Sequence, residues 1–251
     1  MSDPLNSRDI AFSHLGLVRS GRSCPQSMID FLRAQSKRVP RSTRRPWHYH
    51  ELHNPWSPAA TVFDSWGFLE LCQASTLIDE VAELLGSDLI LYDTQWLPDP
   101  SDAVTALEAD AHRCPVEPLD GLKVIIEFAA DTDATTRIQY LNGSHEANDV
   151  EEAREELLGQ GNVLFVDTRL RHRLQHSSLH SPLSLAIRYF PATSRYVRAA
   201  DSAVQRALTQ RYPLLNYARL PLWLVHGEDR ANNDFVTGFG TNAGYWTQAR
   251  S

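Results

Sequence analysis

The stretch GLKVIIEFAADTDATTRIQYLNGS, residues 121–144, decides the class of fold. Gly121 opens an apolar, β-branched run, GLKVIIEFAA, that reads as a core strand. RIQYL (137–141) reads as the next strand, and Asn142-Gly143 supplies the turn that closes it. Downstream, EEAREELLG (151–159) reads as a short polar helix, and NVLFVDTRL (162–170) and LSLAIRYFPA (183–192) after it read as two further strands. Strands separated by turns, without long alternating helices, disfavour a doubly wound parallel sheet and fit a β-sandwich or jelly roll.

Working outward, helices come first. PQSMIDFLRAQS (25–36) predicts a short helix with Pro25 at its start. STLIDEVAELLG (75–86) predicts the clearest one, with Leu77, Ile78, Val81, Leu84 and Leu85 on one face and Gly86 at its end. DLILYDTQWLP (88–98) then reads as a buried strand. Residues 46–58, PWHYHELHNPWSP, are interrupted by prolines and cannot form one regular element. Residues 200–212 predict a helix, and RLPLWLVHG (219–227) reads as a last strand or a packed segment. No repeat, low-complexity segment or linker divides the 251 residues, so one domain spans 1–251, with a helical and basic portion over 1–86.

Composition narrows the function. Apolar residues at 42% and charged residues at 22% place the chain among ordinary globular proteins. A net charge of −7 argues against a chain-wide nucleic-acid footprint. The charge is uneven: nine Arg and Lys against three Asp make residues 1–45 net +6 and leave −13 for the rest. The bland reading is a solvated basic arm on an acidic body. The sharper one has Arg41, Arg44 and Arg45 recognising an anion. Three cysteines, Cys24, Cys72 and Cys114, form neither a disulfide framework nor a Cys-x-x-Cys pair. No stretch approaches the roughly 20 apolar residues of a membrane span. A cytoplasmic location with no membrane partner is the default expectation. Serine-hydrolase elbows, Walker loops and dinucleotide fingerprints are absent from the sequence.

The ten histidines are the most informative residue class. His112, in AHRCPVEPLD, precedes the first core strand, and His172, in RLRHRLQH, follows another. A sandwich can bring them to one mouth, although histidines near strand ends are structural about as often as they are ligands. His176 competes with His172. His145 reads as a turn residue. His48, His50 and His53 beside Glu51 have His-x-His-x-x-His spacing, not that of a zinc protease, and read as packing or pocket residues. Tyr92, Trp47, Trp56 and Trp66 are candidates for aromatic walls.

From about His50 to Ala192, the ordered set STLIDEVAELLG, DLILYD, AHRCPVEPLDGLKVIIEF, RIQYLNGSHEAN, GNVLFVDTRLRH and LSLAIRYFPA resembles the phytanoyl-CoA dioxygenase-like family of non-haem iron, 2-oxoglutarate-dependent oxygenases. The resemblance implies a mostly β fold with helical decoration, the double-stranded β-helix or cupin-like jelly roll. It implies Fe(II) and 2-oxoglutarate as cofactors and oxidation or hydroxylation of a small polar molecule. It places the metal on His112, His172 and position 114. Position 114 is Cys where the family has Asp, and a soft thiolate shifts preference towards zinc or copper. Asp110 or Glu117 is the substitute carboxylate, or no third protein ligand exists. Pro182 stands where the family's cosubstrate arginine is expected, which leaves Arg188, Arg173 or Arg137, with Gln95, to bind an acidic group. His112, His172, Cys114 and Glu117 are the candidate catalytic residues. The two departures open alternatives: a repurposed isomerase, cyclase or lyase, or a non-catalytic homologue acting as partner subunit. A homodimer and a heterodimer with a homologue both fit that resemblance.

Overall fold

A computed structural model describes residues 11–40, 45–99, 106–129, 136–146, 152–177, 182–213, 215–233 and 236–237. Arg41, Arg44 and the glycine-rich tail lie outside the described residues. Two sheets carry the architecture. The larger orders its strands β1-β7-β4-β9-β2-β11-β12, and the smaller β6-β5-β8. In the larger sheet these are Leu17–Arg19 (β1), Leu89–Leu97 (β2), Leu122–Glu127 (β4), Val163–Asp167 (β7), Ser184–Pro191 (β9), Leu222–His226 (β11) and Val236–Thr237 (β12). In the smaller they are Thr136–Asn142 (β5), Glu152–Leu158 (β6) and His172–His176 (β8). Two short strands, Val116–Glu117 (β3) and Arg195–Tyr196 (β10), pair separately.

The period-2 alternation of the strands divides the core. On β4, Leu122, Val124 and Ile126 face the helices Gln26–Ser36, Ser65–Cys72 and Ser75–Leu85, in a cluster that also takes Ile29, Phe68, Val81 and Trp96. Ile125 faces the other way and meets Ile138, Tyr140, Leu158, Leu164 and Leu170, which fill the space between the two sheets. A third cluster joins Ile90, Tyr92, Phe190 and Leu222 to the helix Ala203–Arg211 through Leu208 and Tyr212. The larger sheet is thus a middle layer, with helices on one face and the smaller sheet on the other. This is the expected double-stranded β-helix with helical decoration.

One element differs from expectation. Residues 152–158 form strand β6, not a helix. Glu and Arg favour helices intrinsically, but pairing with all of β5, from Thr136↔Leu158 to Asn142↔Glu152, overrides that preference. The polar residues then act across the ladder. Arg137 pairs with Glu155 at 2.7 Å, Gln139 donates to Glu155 at 2.6 Å, and Arg19 of β1 reaches Glu156 at 3.0 Å. A charged edge strand of this kind also resists pairing with other chains.

Candidate functional site

The site begins as a row of charges across three neighbouring strands. Asp93 of β2 lies opposite Arg188 of β9, and Arg188 lies opposite Lys123 of β4. Lys123 sits on the Ile125 side of its strand, so all three point away from the helices. A β-bulge in β2 between Leu91 and Asp93 makes this alignment possible. It puts Tyr92 and Asp93 on the same face and re-aims the carboxylate at Arg188.

Arg188 is fully buried and held on three sides. One terminal nitrogen donates to Asp93 Oδ2 at 2.7 Å, the other to Gln95 Oε1 at 2.8 Å, and Nε donates to Asp110 Oδ2 at 3.3 Å. Asp110 starts the short turn Asp110–Arg113, and Arg113 lies 4.0 Å from its Oδ1. Lys123 Nζ donates to the same Asp110 Oδ2 at 2.8 Å and to His172 Nε2. His172 Nδ1 donates to the carbonyl of Leu170 at 2.8 Å, which fixes the ring with its other nitrogen as acceptor.

The electrostatics follow from burial. Burial opposes a charge on His172, and the Lys123 cation adds to that, so its pKa falls to about 3 and the ring is neutral. Burial likewise pulls Lys123 down, to about 8, against the support of Asp110. Asp110 would be pushed up by burial, but Lys123 and Arg188 outweigh it and hold the carboxyl well below the usual range.

Asp110, Lys123, His172 and Arg188 form the wall of a cleft that is open to solvent. Asp99, Glu108, Arg113, Arg173, Leu174 and His176 also line it. Asp99 is anchored by His50, whose Nε2 lies 2.8 Å from Oδ2, and Gln95 donates to the same oxygen at 3.4 Å. Arg173 donates to Gln139 at 2.7 Å, and His176 Nδ1 lies 3.0 Å from the Thr136 hydroxyl.

The structure brings together His172, Arg188, Arg173 and Gln95 from the expected set. His112 belongs to the turn that starts at Asp110, but its side chain lies outside the described residues. Three expected residues stand elsewhere. Cys114 is packed with Ile90, Tyr92, Phe190 and Tyr196 and does not line the cleft. Burial pushes its thiol up to about 12. Glu117 is exposed on β3 opposite Arg195. Arg137 is on the outer face of β5, spent on Glu155. Pro182 also lies outside the lining.

Three further histidines have structural partners. His53 sits 2.9 Å from Thr94 Oγ1, His48 accepts from the Arg45 amide at 3.3 Å, and His145 holds the Ser13 carbonyl at 2.8 Å. Of the proposed aromatic walls, Tyr92 is core, while Trp56 and Trp66 are exposed and Trp56 stacks on Trp223.

Reading from the sequence missed Lys123 and Asp93. A signal existed: each is a lone charge interrupting an apolar strand, LKVII and LILYD, and a buried charge needs a partner.

A resident iron does not fit the groups so arranged. The acceptor nitrogen of His172 already takes the Lys123 ammonium, and Asp110 is shared by two cations. Among the described residues, no group of three His, Cys, Asp or Glu is placed to hold a metal ion. In the same residues, no helix is long and apolar enough to cross a membrane.

No protein-family model matches the sequence, and neither does any curated protein. Solved structures do match. CytC3 with Fe(II) and alpha-ketoglutarate superposes with a TM-score of 0.63 at 16% identity, over 91% of this chain and 90% of that one. The non-haem alpha-ketoglutarate-dependent epimerase SnoN from nogalamycin biosynthesis gives 0.59 at 18%, over 80% and 89%. The non-haem monooxygenase ThoJ gives 0.56 at 19%, over 76% and 78%. At such identities the likeness is one of fold. The chain has the double-stranded β-helix fold of the non-haem iron, 2-oxoglutarate-dependent oxygenases.

Proposed function

We propose that the cleft is the active site of an enzyme that moves protons on a small polar molecule, by isomerisation, cyclisation or elimination, without a redox step. One observation carries this reading. At the wall of a solvent-connected cleft, a neutral imidazole and an ammonium are in direct contact, and both are fixed by further bonds. Such a pair supports general acid–base work at Lys123: with its pKa lowered to about 8, the ammonium can supply a proton and the amine can take one back, while His172 Nε2 holds the group in place. Asp110 and Arg188 position them. Arg113 and Arg173 at the lining suit a substrate that carries an acidic group.

The test is proton exchange. Metal-stripped protein in D2O is incubated with a panel of small carbon acids, such as 2-oxo and hydroxy acids, and loss of the C–H signal is followed by NMR. Exchange with at least one member is expected, and its loss in Lys123→Met. No exchange with any member counts against the proposal.

The fold and the place of His172 favour a second reading, the mononuclear iron oxygenase using 2-oxoglutarate. On that reading the Lys123 side chain must vacate His172 Nε2. The pair in the present structure favours the first.

A further inference from the structure

An unprotonated imidazole nitrogen and a carboxylate oxygen are two donor types that first-row divalent metals take. Here His172 Nε2 and Asp110 Oδ2 converge on one buried point, and the Lys123 ammonium fills it. The surroundings keep it filled. Arg188 is tied to Asp93 and Gln95 and cannot take its place without breaking those bonds. The cluster already sets three cations, Lys123, Arg188 and Arg113, against two carboxylates, Asp93 and Asp110. A divalent ion entering beside them would meet like charge in a low-dielectric setting.

We propose that Lys123 is the resident cation of this centre: its side chain occupies a latent metal site and keeps divalent metal out. This goes beyond the proton-transfer reading. It concerns what fills the site, whether or not a substrate turns over. With the stem and ammonium gone, His172 Nε2 is freed and Asp110 Oδ2 keeps only the longer 3.3 Å bond from Arg188, both beside a vacated space, and the carboxylates of Asp99 and Glu108 line the same cleft.

The experiment compares the wild type, Lys123→Ala, Lys123→Met and the double variant Lys123→Ala/His172→Ala. Each is stripped with chelator and titrated with Co(II). Dialysis gives the stoichiometry, and visible absorption reports the coordinated ion. Lys123→Ala is expected to hold one Co(II) per chain at least tenfold more tightly than the other three. Lys123→Met keeps the bulk of the stem without the charge and is expected to stay folded and metal-free. Co(II) binding by the wild type as tight as by Lys123→Ala overturns the proposal. So does a folded Lys123→Ala chain that takes up none. A Lys123→Ala chain that stays unfolded with Co(II) present also counts against it, because metal in the site would restore the lost cation. The readout needs no substrate, so a failed exchange assay and a failed metal assay are separate results.

Discussion

Replacing Arg188 with Met tests whether the charge row organises the site. The substitution conserves much of the volume and removes the donors to Asp93, Gln95 and Asp110. Asp110 keeps Lys123 at 2.8 Å. Asp93 fares worse, because its Oδ1 has no hydrogen-bond partner and its Oδ2 bond to Arg188 is the compensating one. Removing one member of a buried pair typically costs about 3–5 kcal/mol, because the other charge is left uncompensated. For a chain of this size about 4 kcal/mol lowers Tm by roughly 8–16 °C. The assay is chemical and thermal unfolding of Arg188→Met, Asp93→Asn and the double variant. Neutralising Asp93 removes the stranded charge, so the double variant is expected to recover about 1–2 kcal/mol relative to additivity. A cost for Arg188→Met below about 1 kcal/mol would refute the reasoning, and so would strict additivity.

Other outcomes follow from the same geometry. Glu127 is buried, which raises its pKa from 4.5 to about 7 although Thr136, Ala129 and Ser184 donate to it. The folded state then binds the proton more tightly, so stability falls as pH rises from 4.5 to 7. Glu127→Gln is expected to match the wild type at pH 4 and to exceed it by up to about 3 kcal/mol at pH 8, measured by urea unfolding. Ile138→Ala opens a cavity between the two sheets and is expected to cost about 2–4 kcal/mol by the same method. Cys114→Ala removes one packed sulfur, so it should lower stability by only about 1 kcal/mol and leave ligand binding in the cleft unchanged by NMR. Arg137→Ala breaks an exposed ion pair and is expected to change stability by less than about 1 kcal/mol, with no effect on the cleft.

The strands GLKVIIEFAA, NVLFVDTRL and LSLAIRYFPA are readable because each is buried on both faces and therefore apolar almost throughout. The helix Ser75–Leu85 is readable because its buried residues recur at helical spacing. Strand β6 is not, since its strand character comes from β5 and the composition of EAREELL reads as helix. The site divides in the same way. His172 and Arg188 can be found because they flank or interrupt recognisable strands. Their alignment with Lys123 and Asp93 depends on register and on one bulge in β2, which no local pattern encodes. Cys114 drew attention by standing where a ligand is expected. In the structure it is Asp110, four residues earlier on the turn Asp110–Arg113, that lines the cleft and meets Lys123.

The most direct test is an anaerobic titration of wild-type protein with Fe(II), with and without 2-oxoglutarate, followed by visible absorption and metal analysis. With Lys123 seated between His172 and Asp110, no charge-transfer band and no stoichiometric iron are expected under either condition. A band that develops only when iron and 2-oxoglutarate are both present would contradict the lysine-filled centre and establish the oxygenase reading.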